Sequence, residues 1–344
     1  MLNCFNNSER YKEGLIMVSK KRILSGMRPT GVLHLGNYHG ALANWQNMQD
    51  DYDCFFFIAD WHALTSDYEK TGHIQGSIHD MMIDWLSAGL SPEKCTMFIQ
   101  SDIPEHAELF LLLCMITPTP WLERNPTYKE QVTQLSNKDL STFGFLGYPV
   151  LQAADIIMYK AEGVPVGIDQ VPHVEITREI ARRFNYLYDK VFPEPEAILT
   201  PTPKILGLDR RKMSKSYNNA IFLSDSPADI EKKVLEMITD PQRKRKKDPG
   251  DPDICNVFDF HKLYSEDALI AEMNNGCRNA DIGCVHCKKE MAKNLVATLS
   301  PVHEKRQYYL DRPEEVNDIF KAGSEKARIV AQETMKQVRD AIKI

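Results

Sequence analysis

The chain is organised around the stretch Ser25-Gly26-Met27-Arg28-Pro29-Thr30-Gly31-Val32-Leu33-His34-Leu35-Gly36-Asn37. Residues 22–24 before it predict a strand, and residues 38–48 after it predict a helix. A glycine-rich turn between a strand and a helix start is typical of an anion site, because unpaired N–H groups and the positive end of the helix dipole meet there. We interpret His34 as a donor to a phosphate. An ordinary strand-to-helix turn that needs glycines is the alternative.

The order of strand and helix repeats after this turn. Apolar runs at residues 54–59 and 96–100 predict buried parallel strands, and residues 163–167 predict another. The predicted helices cover residues 74–88, a segment from Pro104, residues 147–159 with Pro149 in the first turn, and residues 168–188. We therefore expect an α/β fold with a doubly wound parallel sheet of the Rossmann type. Prolines between 193 and 203 indicate a linker, and an all-helical C-terminal domain is predicted from Pro227.

The composition is that of a globular protein. The chain has 344 residues, 43% of them hydrophobic and 26% charged, with a net charge of −6. These values exclude a globally basic nucleic-acid binder but leave room for a local basic patch. No apolar run approaches the roughly 20 residues of a membrane span, and the first twenty residues lack the apolar segment of a secretion signal. We therefore expect a cytoplasmic protein without a membrane partner.

Polar side chains at a strand end and on one helix face are candidate ligand contacts. Asp60 and His62 follow the second strand, where ligands of open α/β sheets gather, although Asp60 could simply cap the next helix. Tyr148, Gln152 and Asp155 are spaced i, i+4 and i+7, so they share a face of an otherwise apolar helix. This face suits a pocket for a polar-headed aromatic ligand. A satisfied buried network is the alternative.

Two further segments supply candidates between these elements. Asp169 and Gln170 lie at a strand-to-helix turn and suit a ribose diol or an α-amino group, with helix capping by Asp169 as the alternative. Residues 118–139 form a long polar stretch that we expect to be an irregular loop. Lys129 within it is a candidate phosphate contact or a solvated lysine.

Two basic segments follow in the second half of the chain. Residues 207–216 predict a flexible basic loop, in which Lys212 and Lys215 could clamp a pyrophosphate leaving group. Arg243, Lys244, Arg245, Lys246 and Lys247 are five consecutive basic residues. Such a run is either a solvated loop or a phosphate-binding patch. A solvated surface is also the alternative for the first segment.

Four cysteines are concentrated late in the chain. Cys255, Cys277, Cys284 and Cys287 are separated by 21, 6 and 2 residues. A set of four that includes a C-x-x-C pair, in a chain expected in the cytosol, indicates a metal site rather than disulfides. Four thiolates suit zinc or a [4Fe–4S] cluster. We interpret His286, between two of them, as a residue outside the ligand set.

The chain resembles the class I aminoacyl-tRNA synthetases on two motifs placed in order. Residues 212–216 are the KMSKS signature itself, and residues 34–37, His-Leu-Gly-Asn, are similar to the HIGH signature. Within the class, the resemblance is to the bacterial tryptophanyl branch, on residues 26–31, 59–65 and 148–155. Residues 165–170 also match, although Ile168 replaces an acidic residue that is common there.

Alternatives to the tryptophanyl interpretation remain open. The tyrosyl enzymes share the Tyr-x-x-x-Gln-x-x-Asp helix, whereas the segments 26–31 and 59–65 favour the tryptophanyl branch. A nucleotidylyltransferase with the same fold would not need the helical domain. An inactive synthetase scaffold that acts as an RNA-binding or redox module is opposed by the intact signatures.

The resemblance implies a reaction and a set of roles. Tryptophan is activated by ATP with Mg²⁺, pyrophosphate leaves, and the amino acid passes to tRNA(Trp). The implied catalytic residues are His34, Lys129, Lys212 and Lys215. The implied tryptophan-binding residues are His62, Tyr148, Gln152, Asp155 and Gln170. The implied ATP-binding residues are Arg28, Pro29, Thr30, His34, Gly36, Asn37, Gly167, Asp169, Gln170, Lys212, Met213, Ser214, Lys215 and Ser216.

The resemblance extends to domains, partners and the cysteines. Residues 1–20 are expected to be a disordered extension, 21–200 the catalytic domain and 201–226 the KMSKS loop and linker. Residues 227–320 would form a helical anticodon-binding domain, and 321–344 a helix returning to the catalytic domain. A homodimer is implied, with residues 243–247 on the tRNA. A subset of the family with nearly the same cysteine spacing binds [4Fe–4S], so the cluster is preferred to zinc.

Overall fold

The central sheet has five parallel strands in the order β3-β2-β1-β4-β5. The computed structural model describes residues 20–129, 140–200 and 205–344. The strands are β1 (Arg22–Met27), β2 (Asp53–Ile58), β3 (Cys95–Ile99), β4 (Gly163–Val166) and β5 (Glu196–Leu199). The strand order reverses beside β1, and ligands of open parallel sheets bind at such a point, outside the carboxyl ends of the strands. The predicted α/β class with a parallel sheet is confirmed.

The predicted linker between residues 193 and 203 is wrong at β5. Glu196–Leu199 pairs in parallel with β4 as the edge strand of the sheet. An edge strand of four residues buries little surface, so its sequence needs no long apolar run. The prolines on both sides of it are typical of a linker, and they led to the wrong prediction. Residues 201–204 of the linker, and residues 1–19 of the predicted extension, lie outside the described part of the chain.

The first helix, α1, has three pieces that together cover residues 35–48. An α-helical turn (Leu35–Asn37) leads into a π-helical turn (Tyr38–Leu42) and an α-helical end (Ala43–Met48). The helix therefore begins at Leu35 rather than at Tyr38, because the side chain of His34 caps it. Single π turns are frequent at functional sites, and this one follows directly on the first signature.

Further helices in the described part of the chain accompany the sheet. They are α2 (Asp60–Asp67), α3 (Ile74–Ser87), α4 (Glu105–Cys114), α5 (Thr119–Glu123), α6 (Phe143–Met158) and α7 (Val171–Leu187). Helix α5 corrects the prediction of an irregular segment over 118–139, of which residues 130–139 lie outside the described part. Pro149 is inside α6 rather than in its first turn, because Thr142 caps the helix seven residues earlier.

The C-terminal half of the chain is helical, as predicted. Its helices are α8 (Pro227–Glu236), α9 (Asn256–Tyr264), α10 (Asp267–Arg278), α11 (Cys284–Leu310) and α12 (Pro313–Ile342). Helix α12 packs across the outer edge of β3. A Cβ atom at Gly323 would lie 1.8 Å from the carbonyl oxygen of Met97, so this close contact requires glycine. None of the described helices is long and apolar enough to cross a membrane.

Both faces of the sheet are covered by apolar clusters. In β2, Phe56 packs into one cluster with Trp45 and Trp85, whereas Phe55 and Phe57 pack into the other. This alternation follows from the two-residue period of a strand. A sheet buried on both faces explains why β2 reads as an uninterrupted apolar run. Its carboxyl edge is left as the place where polar groups can meet a ligand.

Candidate active site

A cavity of about 370 Å³ opens at the carboxyl ends of β1, β2 and β4. It lies at the reversal of strand order, where the fold places ligands. The predicted contacts that line it are Arg28, His62, Tyr148, Gln152, Asp155, Gly167 and Gln170. The structure thus brings together residues from both ends of the catalytic half of the chain.

The carboxylate of Asp155 is fully buried and is the centre of a hydrogen-bonded network. Its Oδ1 accepts from Nε2 of Gln100 at 2.8 Å and lies 2.6 Å from Nδ1 of His106. Its Oδ2 lies 2.8 Å from Nε2 of His62. Burial by itself would raise the pKa of Asp155, but the hydrogen bonds and charges of His106 and His62 lower it below its ordinary value. The carboxylate therefore stays ionised as a hydrogen-bond acceptor in the cavity wall.

Sequence reasoning missed Gln100 and His106, two of the three residues that hold Asp155. Gln100 follows β3, so the rule that singled out Asp60 at the end of β2 could have found it. Tyr159 lies one helical turn after Asp155, and its hydroxyl is 2.7 Å from Nε2 of His106. His106 is one polar residue at the start of the apolar helix α4, and nothing in its spacing indicated a partner.

Tyr148 is held by His173, another residue to which the sequence analysis assigned no role. Its hydroxyl lies 2.9 Å from Nε2 of His173, and both side chains line the cavity. Burial, with a smaller contribution from His62, lowers the pKa of His173 to about 4, so its ring is neutral at pH 7. Its Nδ1 is buried without a hydrogen-bond partner among the described residues. The Nδ1 atom of His173 is therefore a polar group beside the cavity that a ligand could hydrogen-bond.

Asp60 does not line the cavity, and it does not cap α2 either, because it is the first residue of that helix and Ala59 is the N-cap. The side-chain Oδ1 accepts from the backbone N–H groups of Trp61 and Ser101, both at 3.1 Å. It therefore joins the start of α2 to the turn after β3. Asp169 is exposed and also caps no helix, since Gln170 is the N-cap residue of α7 and makes no side-chain cap. The Asp169 carboxylate accepts from Nε2 of Gln170 at 3.0 Å.

His34 and Asn37 form a reciprocal cap at the start of α1. The backbone N–H of Asn37 donates to Nδ1 of His34 at 3.3 Å, and the backbone N–H of His34 donates to Oδ1 of Asn37 at 3.1 Å. Because Nδ1 is an acceptor, the proton of the neutral ring is on Nε2. Burial, together with the charges of Lys215 and Lys212, lowers the pKa of His34 to about 4. His34 is therefore a neutral donor, and Asn37 shapes the turn.

The two signature segments pair through their backbones. Leu35 donates to the carbonyl of Ile221 at 3.0 Å, and Leu223 donates to the carbonyl of Leu33 at 2.9 Å. His34 lies between these bonds, opposite Phe222. This short antiparallel contact fixes the first signature against the strand-like segment that follows the KMSKS loop.

The KMSKS loop is anchored at its base while its lysines are exposed. Met213 is buried, whereas Lys212 and Lys215 are on the surface. The buried amide of Asn219 accepts from the N–H of Ser214 at 2.8 Å and donates to Asp209 at 2.7 Å. Asn219 thus joins the two sides of the loop, a role that sequence reasoning did not predict. The ammonium groups of Lys212 and Lys215 can therefore reach a ligand while the base of the loop stays folded.

The remaining predicted ATP contacts surround the same turn. Arg28 donates to the hydroxyl of Ser66 at 2.5 Å, so its charge is directed at α2. Gly31 has φ +95°, in the left-handed region that favours glycine, and its Cα faces Nζ of Lys215. Lys129 is exposed and is not a lining residue of the cavity.

The four late cysteines converge between α9, α10 and α11. Their thiols interact electrostatically with one another, and no disulfide joins the described cysteines. Nη1 of Arg243 lies 3.6 Å from Sγ of Cys277 and 3.9 Å from Sγ of Cys284. Sγ of Cys287 lies 3.4 Å from Nε2 of His261. In the part of the chain described, no three His, Cys, Asp or Glu side chains are arranged around a single ion position.

The basic run of residues 243–247 lies beside the four late cysteines, which we call the cysteine module. It contains one half-buried residue and four exposed residues. Arg243 is half-buried and also donates to the carbonyls of Ile282 and Lys246, at 2.6 and 2.9 Å. Residues 244–247 are exposed. A cavity of about 380 Å³ is lined by residues 243–246 and 283–286. The structure therefore separates an inward arginine, directed at the thiols, from four outward cations.

Comparisons with known proteins agree on one family. The family model described as tRNA synthetases class I (W and Y) matches residues 19–300. The tryptophan–tRNA ligase of Thermotoga maritima is 52% identical over 94% of this chain and 99% of its own length. That of Aquifex aeolicus is 47% identical over 94% of this chain and 100% of its own length. The crystal structure of tryptophanyl-tRNA synthetase from Campylobacter jejuni with ADP and tryptophan matches with a TM-score of 0.85 and 34% identity, over 94% of this chain and 100% of that chain.

Proposed function

Because this chain belongs to the class I tRNA synthetases for tryptophan and tyrosine, we infer that it activates L-tryptophan with ATP and transfers it to tRNA(Trp). The observation that carries this inference is the identity of 47–52% to tryptophan–tRNA ligases along nearly the whole chain. The chemistry of the cavity supports the same substrate. An ionised buried carboxylate, Asp155, is an acceptor for the indole N–H, which can only donate.

The first step joins tryptophan to AMP. The carboxylate of tryptophan attacks the α-phosphorus of ATP, the bond to the β-phosphate oxygen breaks, and pyrophosphate leaves. No protein nucleophile takes part, so the protein accelerates the step by positioning the reactants and stabilising charge. In the second step, a ribose hydroxyl of the terminal adenosine of the tRNA attacks the activated carbonyl and AMP leaves.

We assign the tryptophan end of the site to the cavity wall. Asp155 would accept from the indole, and its orientation is set by the donors His62, Gln100 and His106. The side chains of Tyr148, Gln152 and Gln170 would contact the remainder of the amino acid. A site built to hydrogen-bond the indole N–H discriminates against an analogue that lacks this donor.

The ATP end is assigned to the paired signatures. The Nε2–H of His34 would donate to phosphate oxygens, while Lys212 and Lys215 neutralise the charge that develops on pyrophosphate. Mg²⁺ would arrive with the phosphates and share that charge. Other residues of the two signatures and of the turn before the first would complete the contacts: Arg28, Pro29, Thr30, Gly36, Asn37, Met213, Ser214 and Ser216. Gly167, Asp169 and Gln170 would hold the ribose, and Lys129 would assist from its loop.

We propose that Cys255, Cys277, Cys284 and Cys287 hold a [4Fe–4S] cluster, with zinc as the alternative. The chemistry of the donors suits a cluster rather than a single ion, because four unbridged thiols converge without surrounding one ion position, and Arg243 offers N–H groups to two of them. A cluster held by these cysteines would supply a structural brace between the helices that carry them. Arg243 compensates negative charge on the thiolates, and His261 contacts Cys287 at the other side.

The exposed cations at residues 244–247 are proposed to contact tRNA. Three of them, residues 244–246, line a cavity beside the cysteine module, and unpaired loop bases with their phosphates are the RNA features that such a surface recognises. A homodimer in the cytoplasm is proposed from the family resemblance. The domain boundaries at 21–200, 201–226, 227–320 and 321–344 stay proposals.

Tryptophan-dependent exchange of pyrophosphate into ATP tests the function. We expect exchange with tryptophan, none above background with tyrosine, and charging of tRNA(Trp). Exchange with tyrosine alone would move the chain to the tyrosyl branch. Binding of RNA without any exchange would indicate an inactive scaffold.

A further inference from the structure

Leu33, immediately before His34, has both of its backbone polar groups engaged by distant parts of the chain. Its carbonyl accepts from Leu223 at 2.9 Å, and its N–H donates to Oδ2 of Asp84 at 3.0 Å. The turn before His34 is therefore held on both sides of Leu33: Asp84 holds the Val32–Leu33 peptide, and the second signature holds the Leu33–His34 peptide. A turn with a fixed peptide presents the His34 ring in one direction.

Asp84 is a fully buried carboxylate that comes from α3. Its other oxygen, Oδ1, accepts from Nε of Arg306 at 2.9 Å, and that arginine side chain is 12% exposed. Burial raises the pKa of Asp84, whereas the charge of Arg306 and the N–H of Leu33 act in the opposite direction. A buried carboxylate without its cation is costly, so Arg306 keeps Asp84 available as an acceptor.

Arg306 belongs to α11, the long helix that begins at Cys284. The helix has 27 residues, which at 1.5 Å per residue makes it about 40 Å long. One end lies in the cysteine module, and the other lies against α3. There, Nη2 of Arg306 is also 3.7 Å from Oδ1 of Asp80. The helical half of the chain therefore reaches the ATP-binding turn through two side chains.

We propose that Asp84 and Arg306 are positioning residues for ATP activation: Arg306 holds Asp84, and Asp84 holds the N–H of Leu33, which fixes the turn before His34 in the orientation that binds phosphate. This inference rests on the proposed function of that turn. Neither side chain lines the substrate cavity, so both act through Leu33. The pair makes the geometry of the first signature depend on the correct seating of the helical half.

The test compares Arg306→Gln and Asp84→Asn with Lys305→Gln, a control at the exposed neighbour on the same helix. We expect the kcat/KM for ATP in tryptophan-dependent exchange to fall about 10- to 100-fold in both variants, as for loss of a charged hydrogen bond. Tryptophan affinity, measured without ATP by equilibrium dialysis, should stay within about twofold, because the cavity is not involved. Lys305→Gln should match the wild type.

Three outcomes overturn the proposal. They are unchanged ATP parameters in both variants, an equal loss of tryptophan and ATP affinity, and full activity restored by stabilising salts alone. If Arg306→Gln does not fold, Arg306→Lys keeps the charge without the guanidinium, and wild-type kcat/KM for ATP in that variant would equally contradict the role of Nε. Absence of exchange in the wild-type protein would instead contradict the proposed function, which distinguishes the two failures.

Discussion

Lys215 donates from its Nζ to the carbonyl oxygen of Thr30 at 3.0 Å, although 185 positions separate the two residues in the chain. This bond joins the second signature to the glycine-rich turn that precedes the first. A phosphate oxygen is a stronger acceptor for an ammonium group than a backbone carbonyl. We therefore expect Lys215 to exchange Thr30 for a phosphate oxygen when ATP binds, with little movement of the loop base at Asn219.

Replacing Lys215 with alanine should lower the rate of tryptophan activation about 100- to 1,000-fold, because the ammonium stabilises charge on departing pyrophosphate. Tryptophan affinity should change by less than about twofold. Single-turnover formation of the adenylate measures the first quantity and equilibrium dialysis the second. Lys232→Ala, at an exposed site on α8, is the matched control. Unchanged single-turnover kinetics in Lys215→Ala would contradict the clamp.

Asp155→Ala should abolish tryptophan-dependent exchange, by at least about 100-fold, while ATP binding survives. The substitution removes the acceptor for the indole and leaves the buried donors of His62, Gln100 and His106 unpaired. Exchange assays and nucleotide titration measure the two properties. Tyr159→Phe, which removes only the hydroxyl bonded to His106, should lose about tenfold or less. Exchange at the wild-type rate in Asp155→Ala would remove Asp155 from the tryptophan site.

His34 should remain neutral well below the pH at which histidine usually titrates. Its pKa is lowered from 6.5 to about 4, so the unfolded chain binds the proton more readily than the folded one. The contribution of His34 to the stability of the folded protein is therefore fully present above pH 6.5 and is lost as the pH falls towards 4. Imidazole NMR signals, assigned with His34→Gln, should show no titration of His34 between pH 7 and about 5. A midpoint near 6.5 would contradict this.

An anaerobic preparation should be brown, with absorbance in the violet-blue and iron bound to the protein. Cys255→Ser should lose the colour, because each cysteine supplies one ligand of the cluster. Cys114→Ser is the control, since Cys114 lies on α4 outside the module. A colourless protein with stoichiometric zinc would decide for the alternative.

Alanine at residues 244–247 should raise the KM for tRNA in aminoacylation without changing tryptophan–ATP exchange. Each cation–phosphate interaction that the substitutions remove should reduce the slope of log affinity against log salt by about 0.7–0.9. Lys289→Ala, at an exposed site on α11, is the comparison. A variant with wild-type tRNA affinity and salt dependence would place the RNA elsewhere.

Several features could be predicted from local patterns. The apolar runs of β2 and β3 and the turn after β1 are confirmed, because buried parallel strands and helix starts leave signals within about ten residues. The shared helix face of Tyr148, Gln152 and Asp155 was also predictable from the helical period. The edge strand β5 was not, because one partner strand and four residues demand little of the sequence.

The amino-acid sequence by itself determined the class of fold and the chemistry of the signatures, since both depend on residues close together in the chain. Only the tertiary structure decided which distant groups meet. His106 reaches Asp155 across 49 positions, and Arg306 reaches Asp84 across 222. Such contacts depend on how helices pack on the sheet and on each other, and spacing along one helix carries no information about the element that faces it.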